Sequence, residues 1–187
     1  MNELLKEAGI PLTLVGDQLV KSDPKDSDRS KFGLPDHDSF KAALIGAANN
    51  CMVISVLFLD LDNFKKVNDT YDHQVGDGVI REMAATVSEV IEGKGELYHR
   101  SGDEMLVLLR NFDIDEASSV AERIRKAIAS KEFSVIGKGS VTTTIGVSAY
   151  PEPCCEVERL EVTADQAAMK QKGIAKNRIL LYDPSSL

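Results

Sequence analysis

The sequence predicts an α+β fold in which helices pack against a mainly antiparallel central sheet. Three observations predict it. Helical and extended periodicities follow one another as helix–strand–helix–hairpin–helix–strand–strand–helix–strand. The run "MVISVLFLDLDNF" is apolar almost without interruption up to Asp60, as a central strand covered on both faces requires. "ELYHR" and "MLVLLR" read as two short strands joined by a four-residue, glycine-containing connection.

The elements follow in order. Residues 1–31 differ in character from the rest: "MNELLKEAG" suits a short helix, "LTLVGDQLVK" a hairpin about Gly16-Asp17, and "SDPKDSDRSK" a polar linker. A boundary near Lys31 therefore separates an appendage, 1–31, from a domain, 32–187. "DHDSFKAALIGAANN" has the acidic start and Asn-rich end of a helix. After the central strand, Val75, Val79, Met83, Val87, Val90 and Ile91 recur at helical spacing to about Glu92. Asp113 and Glu116 form a capping box for a helix carrying Ala117, Val120, Ala121, Ile124 and Ile128. "FSVI" and "SVTTTIGVSAY" flank Gly137-Lys138-Gly139 as an expected hairpin, with Val141, Thr143, Ile145, Val147 and Ala149 on one face. A last helix is expected over about Glu161 to Asn177, and "RILLY" is a closing strand.

At 187 residues and 43% hydrophobic, the chain can build one good-sized core. A net charge of −8 argues against a nucleic-acid polymer or a membrane surface as partner. It leaves room for a small anionic ligand, since a bound metal ion inverts the sign of a local site. No apolar run reaches bilayer length and the N-terminus lacks the pattern of a signal peptide. The three cysteines (Cys51, Cys154, Cys155) offer neither a disulfide framework nor metal-ligand spacing. A cytoplasmic protein is the expectation.

Two acid pairs stand out. Asp60 and Asp62 fall where a buried strand gives way to a loop, and Asp103 and Glu104 fall at a hairpin tip. If the two strands are neighbours, Asp60 and Asp103 converge. Without a cation they repel; with Mg²⁺ they are hard oxygen ligands that leave positions for water and substrate phosphates. That suits phosphoryl or nucleotidyl transfer. Asn68, Asp69, His73 and Asp77 crowd a loop leading into a helix, where an amide and a carboxylate together can read guanine. Lys172 and Lys176, four apart, would share a helix face and grip a triphosphate. Each motif alone also fits an ordinary role: solvated acids at strand ends, turn and cap residues, lysines at a helix C-terminus.

Together, "FLDLDNFKKVNDTYDHQVGD", "RSGDEM" and "ADQAAMKQKGIAKNRI", in that order and spacing, resemble the GGDEF domain of diguanylate cyclases over about residues 33–183. The resemblance implies a palm-like fold related to nucleotidyl cyclases and polymerases. It further implies condensation of two GTP into cyclic di-GMP with release of two pyrophosphates, Mg²⁺ or Mn²⁺ as cofactor, and an antiparallel homodimer with facing half-sites. Carried over by position, it makes Asp60, the Leu61 carbonyl and Asp103 metal ligands. Asn68 and Asp77 become guanine readers with His73 nearby, and Lys65, Lys172 and Lys176 phosphate contacts. Asp103 becomes the proton acceptor, helped by Glu104.

The sequence departs from that pattern in places. Ser101 replaces the signature's first Gly and Met105 its terminal Phe. A left-handed backbone at Ser101 would be strained. His99 and Arg100 stand where Arg and an aromatic are common. Of the opening motif "D-x-L-T-G-L-P-N-R" only Gly33, Leu34 and Pro35 survive, and Ala175 replaces the Gly before Lys176. The product-inhibition motif would fall on Glu92 to Gly95 ("EGKG") and is absent, so no feedback through that site is expected. Two alternatives stay open: a catalytically weak or inactive GTP-binding regulatory module, and a related enzyme making another cyclic nucleotide.

Overall fold

The computed structural model describes residues 12–15, 18–21, 29–170 and 175–186. Leu12–Val15 (β1) and Gln18–Lys21 (β2) pair antiparallel, as the hairpin reading of that stretch expects. The expected helix at the N-terminus, the Gly16-Asp17 turn and most of the polar linker lie outside the described residues.

The domain is built on a five-stranded sheet. Its members are Ile54–Asp62 (β3), Gly95–Ser101 (β4), Glu104–Arg110 (β5), Thr142–Tyr150 (β8) and Ile179–Leu181 (β9), in the order β4-β5-β3-β8-β9. Every pairing is antiparallel except β8 with β9. Between β5 and β8 lies a two-stranded ribbon of Glu132–Phe133 (β6) and Gly137–Lys138 (β7). The helices are His37–Ala48 (α1), Phe64–Thr70 (α2), His73–Val90 (α3), Ile114–Ser130 (α4) and Leu160–Met169 (α5).

β3 is central and buried along its whole length. Its alternating side chains feed two cores. Leu57, Leu59 and Leu61 pack with Val79, Met83 and Val87 of α3 and Ala121, Ile124 and Ile128 of α4. Ile54, Val56 and Phe58 pack with Phe40 and Leu44 of α1 and Leu160, Ala164 and Ala168 of α5. α5 lies so close to β8 that a Cβ on Gly146 would stand 1.9 Å from the Ala164 carbonyl oxygen.

Helix starts follow the capping chemistry of the sequence. Asp36 accepts from the Ser39 N–H at 2.9 Å, a bond that holds its carboxyl below the ordinary range. Asp113 and Glu116 complete the expected capping box.

Four expectations are corrected. "FSVI" does not form a hairpin with the following strand. Phe133 pairs only with Gly137, and β8, buried on both faces, sits between β3 and β9 where both faces are covered. The last helix ends at Met169, and residues 175–178 are not helical. The sheet claims their backbone instead: the Ile145 N–H donates to the Arg178 carbonyl, and Asn177 adopts φ 56. The central strand continues through Asp62 rather than ending at Asp60. Finally, Asn68 and Asp69 lie on α2 and His73 and Asp77 on α3, not in a loop.

Candidate active site

The β3–β5 register stops at Asp60 opposite Glu104, whereas β3–β8 pairing continues to Asp62 opposite Thr142. β3 therefore outruns β5 by two residues, making a step in the sheet beside the β4–β5 tip. The Leu61 backbone at this step has no partner in β5. Residues directly opposite in an antiparallel pair carry their side chains on one face, with Cβ atoms roughly 4.5–5.5 Å apart. Asp60 and Glu104 are thus side by side. Asp103, expected to converge on Asp60, lies one residue further out in the turn and is half-buried.

The tip is tighter than the sequence suggested, with only Gly102 and Asp103 between the strands. Gly102 takes the left-handed conformation at φ +53. Ser101 does not, so the strain expected of a side chain at that position does not arise. Glu104 Oε2 accepts from Ser101 Oγ at 2.7 Å and from Arg100 Nη1 at 3.3 Å. Arg100 also bonds Glu161 at 2.8 Å and Asp165 at 3.1 Å on α5, with its guanidinium 5.1 Å from the Phe58 ring centroid. Met105, in place of Phe, is fully buried.

Asp62 is a structural acid. Its carboxylate, 2% exposed, accepts from Thr142 Oγ1 at 2.6 Å, Thr144 Oγ1 at 2.8 Å and the Asn177 N–H at 2.8 Å. Burying an ionised carboxylate is tolerated only with such partners. These bonds fix the segment that bears Lys176, whose Nζ donates to Asn63 Oδ1 at 2.6 Å. Arg125 of α4, itself held by Glu122, reaches the Asn177 side chain at 2.8 Å. Lys172 lies outside the described residues. The shared helix face expected for Lys172 and Lys176 is not formed at Lys176.

On the α2–α3 side, Asn68 Oδ1 is buried and has no hydrogen-bond partner among the described residues. It lies where a Cβ on Gly76 would meet it at 2.0 Å, so the glycine makes room for the amide. Asp77 accepts from Lys31 Nζ through both oxygens, at 2.8 and 3.1 Å. His73 opens α3 and Lys65 lies on α2, both exposed. Residues around Lys31 are pinned across the sheet edge: His99 N–H donates to the Pro35 carbonyl, and the Phe32 ring meets His99 edge-on at 4.9 Å. Sequence reasoning missed the roles of Lys31, Arg100 and Asp62. Each depends on partners distant in the chain, Asp77 for Lys31, Glu161 and Asp165 for Arg100, and Thr142, Thr144 and Asn177 for Asp62, which no local pattern reveals.

Among the described residues no group of three or more His, Cys, Asp or Glu side chains gathers as a metal cage. A buried Asp60 carboxylate, Asp103 and the Leu61 carbonyl at an open step are hard oxygen donors. They fit Mg²⁺ or Mn²⁺, which keep water and substrate oxygens in their remaining positions. Among the described residues no helix is long and apolar enough to cross a membrane.

The palm-like sheet, the signature at its hairpin tip and the acids beside it define a nucleotidyl-cyclase type of domain, and comparison with known proteins agrees. Residues 32–178 match the model of the diguanylate cyclase GGDEF domain, and the chain belongs to that family. It is 36% identical over 129 residues to Diguanylate cyclase A of Treponema denticola, covering 68% of this chain and 35% of that protein. Similarity to the biofilm architecture maintenance protein MbaA of Vibrio cholerae is 34% over 139 residues, 69% of this chain and 17% of the relative. The chain thus spans about a third or less of the length of these relatives. Among solved structures, the GGDEF domain of YfiN (TpbB) from Pseudomonas aeruginosa superposes with a TM-score of 0.73 at 28% identity, covering 81% of this chain and 98% of that one. The active GGEEF domain of a Vibrio cholerae diguanylate cyclase gives 0.68 at 28%, covering 76% and 90%.

Proposed function

We propose that this chain is a diguanylate cyclase that condenses two GTP into cyclic di-GMP as a homodimer. The observation that carries the reading is the step at the end of β3, where Asp60 stands opposite Glu104 beside the Asp103 tip. Asp60, the Leu61 carbonyl and Asp103 would hold a divalent cation, which when bound neutralises phosphate charge and favours ionisation of the attacking hydroxyl. Asp77 accepts from the guanine N1–H and exocyclic amine, and Asn68 supplies the further amide contact. An adenine would set an acceptor against the carboxylate. Lys65 and Lys176, with Lys172 by resemblance, bind the triphosphate, and His73 borders the base.

Each domain holds one GTP, so the 3′-hydroxyl that attacks comes from the nucleotide of the facing protomer. Its oxygen bonds to the α-phosphorus as the α–β anhydride bond breaks and pyrophosphate leaves. The hydroxyl proton passes to the Asp103–Glu104 carboxylates. A second such attack closes the ring. Residues 1–31 are assigned to an appendage serving dimerisation or partner docking.

The test incubates the purified protein with GTP and Mg²⁺ or Mn²⁺, follows pyrophosphate and identifies the nucleotide product. Cyclic di-GMP is expected, and turnover at wild-type rate in Asp103→Ala would overturn the metal assignment. The loss of the opening motif, of which only Gly33, Leu34 and Pro35 survive, favours one second reading, a GTP-binding regulatory module. GTP binding lost in Asp77→Ala, with no turnover in the wild type, would select it.

A further inference from the structure

We infer that Arg100 and Ser101 are positioning residues for Glu104: they hold one oxygen of its carboxylate and leave the other to the ligands of the step. The inference rests on the reading of Glu104 as part of a nucleotidyl-transfer site.

The β4–β5 ladder pairs His99 with Met105 and Ser101 with Glu104, skipping Arg100. An extra residue of this kind re-aims its side chain. Here the guanidinium lies over Phe58 and is held by Glu161 through Nε and by Asp165 through Nη1, two acids one turn apart on α5. Glu161 is itself held by His37 Nε2 of α1, 2.9 Å from both of its oxygens. Arg100 is therefore a donor anchored by two helices and the core, and its charge does not titrate away. Its Nη1 reaches Glu104 Oε2 at 3.3 Å, and Ser101 Oγ reaches the same oxygen at 2.7 Å. Among the described residues Glu104 Oε1 accepts no hydrogen bond.

Both donors stand where the sequence departs from the family pattern, Ser101 in place of a glycine and Arg100 in place of a common aromatic. The two departures meet on a single atom. Rotamer freedom of the Glu104 side chain is then lost on folding rather than on ligand binding, which favours a ligand of Oε1. Opposite Asp60, Oε1 borders the place where Asp60, the Leu61 carbonyl and Asp103 would hold a divalent cation, and its charge there would add to the affinity for that cation.

The test titrates Mn²⁺ by electron paramagnetic resonance into the full chain with a non-hydrolysable GTP analogue, alongside thermal melts. It compares the wild type with Ser101→Ala, Arg100→Met, Arg100→Lys and Glu104→Gln. Loss of a residue that orients a metal ligand weakens metal affinity by about 10–100-fold. Ser101→Ala and Arg100→Met are expected to show a loss of about tenfold or more, with partial recovery in Arg100→Lys. Ser101 is exposed, so its variant should melt like the wild type and report positioning alone. If Arg100→Met fails to fold, Ser101→Ala decides. Unchanged Mn²⁺ affinity in Ser101→Ala, with affinity lost in Glu104→Gln, overturns the positioning role and leaves the site intact. Unchanged affinity in Glu104→Gln overturns any part for Glu104 in metal binding, and the positioning role with it, whereas a wild type that binds no Mn²⁺ would overturn the reading of the site itself.

Discussion

Lys31 donates to both carboxylate oxygens of Asp77 across 46 residues of chain, at 2.8 and 3.1 Å. The ammonium covers the two acceptors that a guanine base would use. Its side chain is 64% exposed, which limits the energy of the contact. An exposed ion pair contributes about 0.2–1 kcal/mol, equivalent to about fivefold in an equilibrium constant at most. Lys31→Met should therefore tighten GTP binding by up to about fivefold, measured by calorimetry. The gain should shrink as salt is added. Weaker binding in the variant would mean that Lys31 helps the base instead of competing with it.

Asn68 is expected to trade stability against binding. An unsatisfied buried acceptor costs about 1–3 kcal/mol, so Asn68→Ala should leave the melting temperature unchanged or raised. GTP affinity should drop by about tenfold, because a hydrogen-bonded recognition site loses a partner. A variant that melts early and binds GTP normally would make the amide a packing residue.

Asp62 differs from Asp60 in what its removal should do. Asp62→Ala strands three donors, Thr142, Thr144 and the Asn177 N–H, in a buried place. A buried donor left without a partner costs about 1–3 kcal/mol, so with three of them the melting temperature should fall by about 6 °C or more. Asp60→Ala should stop turnover without a comparable fall. Equal melting curves for Asp62→Ala and the wild type would refute the structural role.

Much of this was legible in the sequence because it depends on local pattern. The unbroken apolarity of β3 announced a strand covered on both faces, and the Asp113–Glu116 box announced α4 to the residue. The order of the motifs announced the family. What stayed hidden depends on long-range competition for backbone and charge. "AKNR" continues a helical pattern, yet its hydrogen bonds go to β8 and Asp62, 115 residues away in the case of Asn177. Gly137-Lys138-Gly139 has hairpin chemistry, but β8 gains more between two strands than at an edge. Asp62 and Asp60 look alike two residues apart, and only the register shows that one faces Thr142 and the other Glu104.

Gly146 offers a stability test remote from chemistry. A Cβ there would stand 1.9 Å from the Ala164 carbonyl oxygen and 2.8 Å from the Ala168 nitrogen, both backbone atoms that cannot swing aside. Overpacking of a core costs about 1–3 kcal/mol, occasionally more, so Gly146→Ala should lower the melting temperature by about 2–12 °C. An unchanged melt would show that α5 shifts freely on the sheet.

Left-handed geometry at the hairpin tip falls on Gly102 alone. A pattern search that demands two consecutive glycines thus imposes a rule the turn does not obey. The first position is open to any residue with ordinary backbone angles, and a chain can acquire a hydrogen-bonding side chain there while keeping its turn. Chains set aside as degenerate for lacking that first glycine form a pool in which intact tips should be sought by backbone angle rather than by letter.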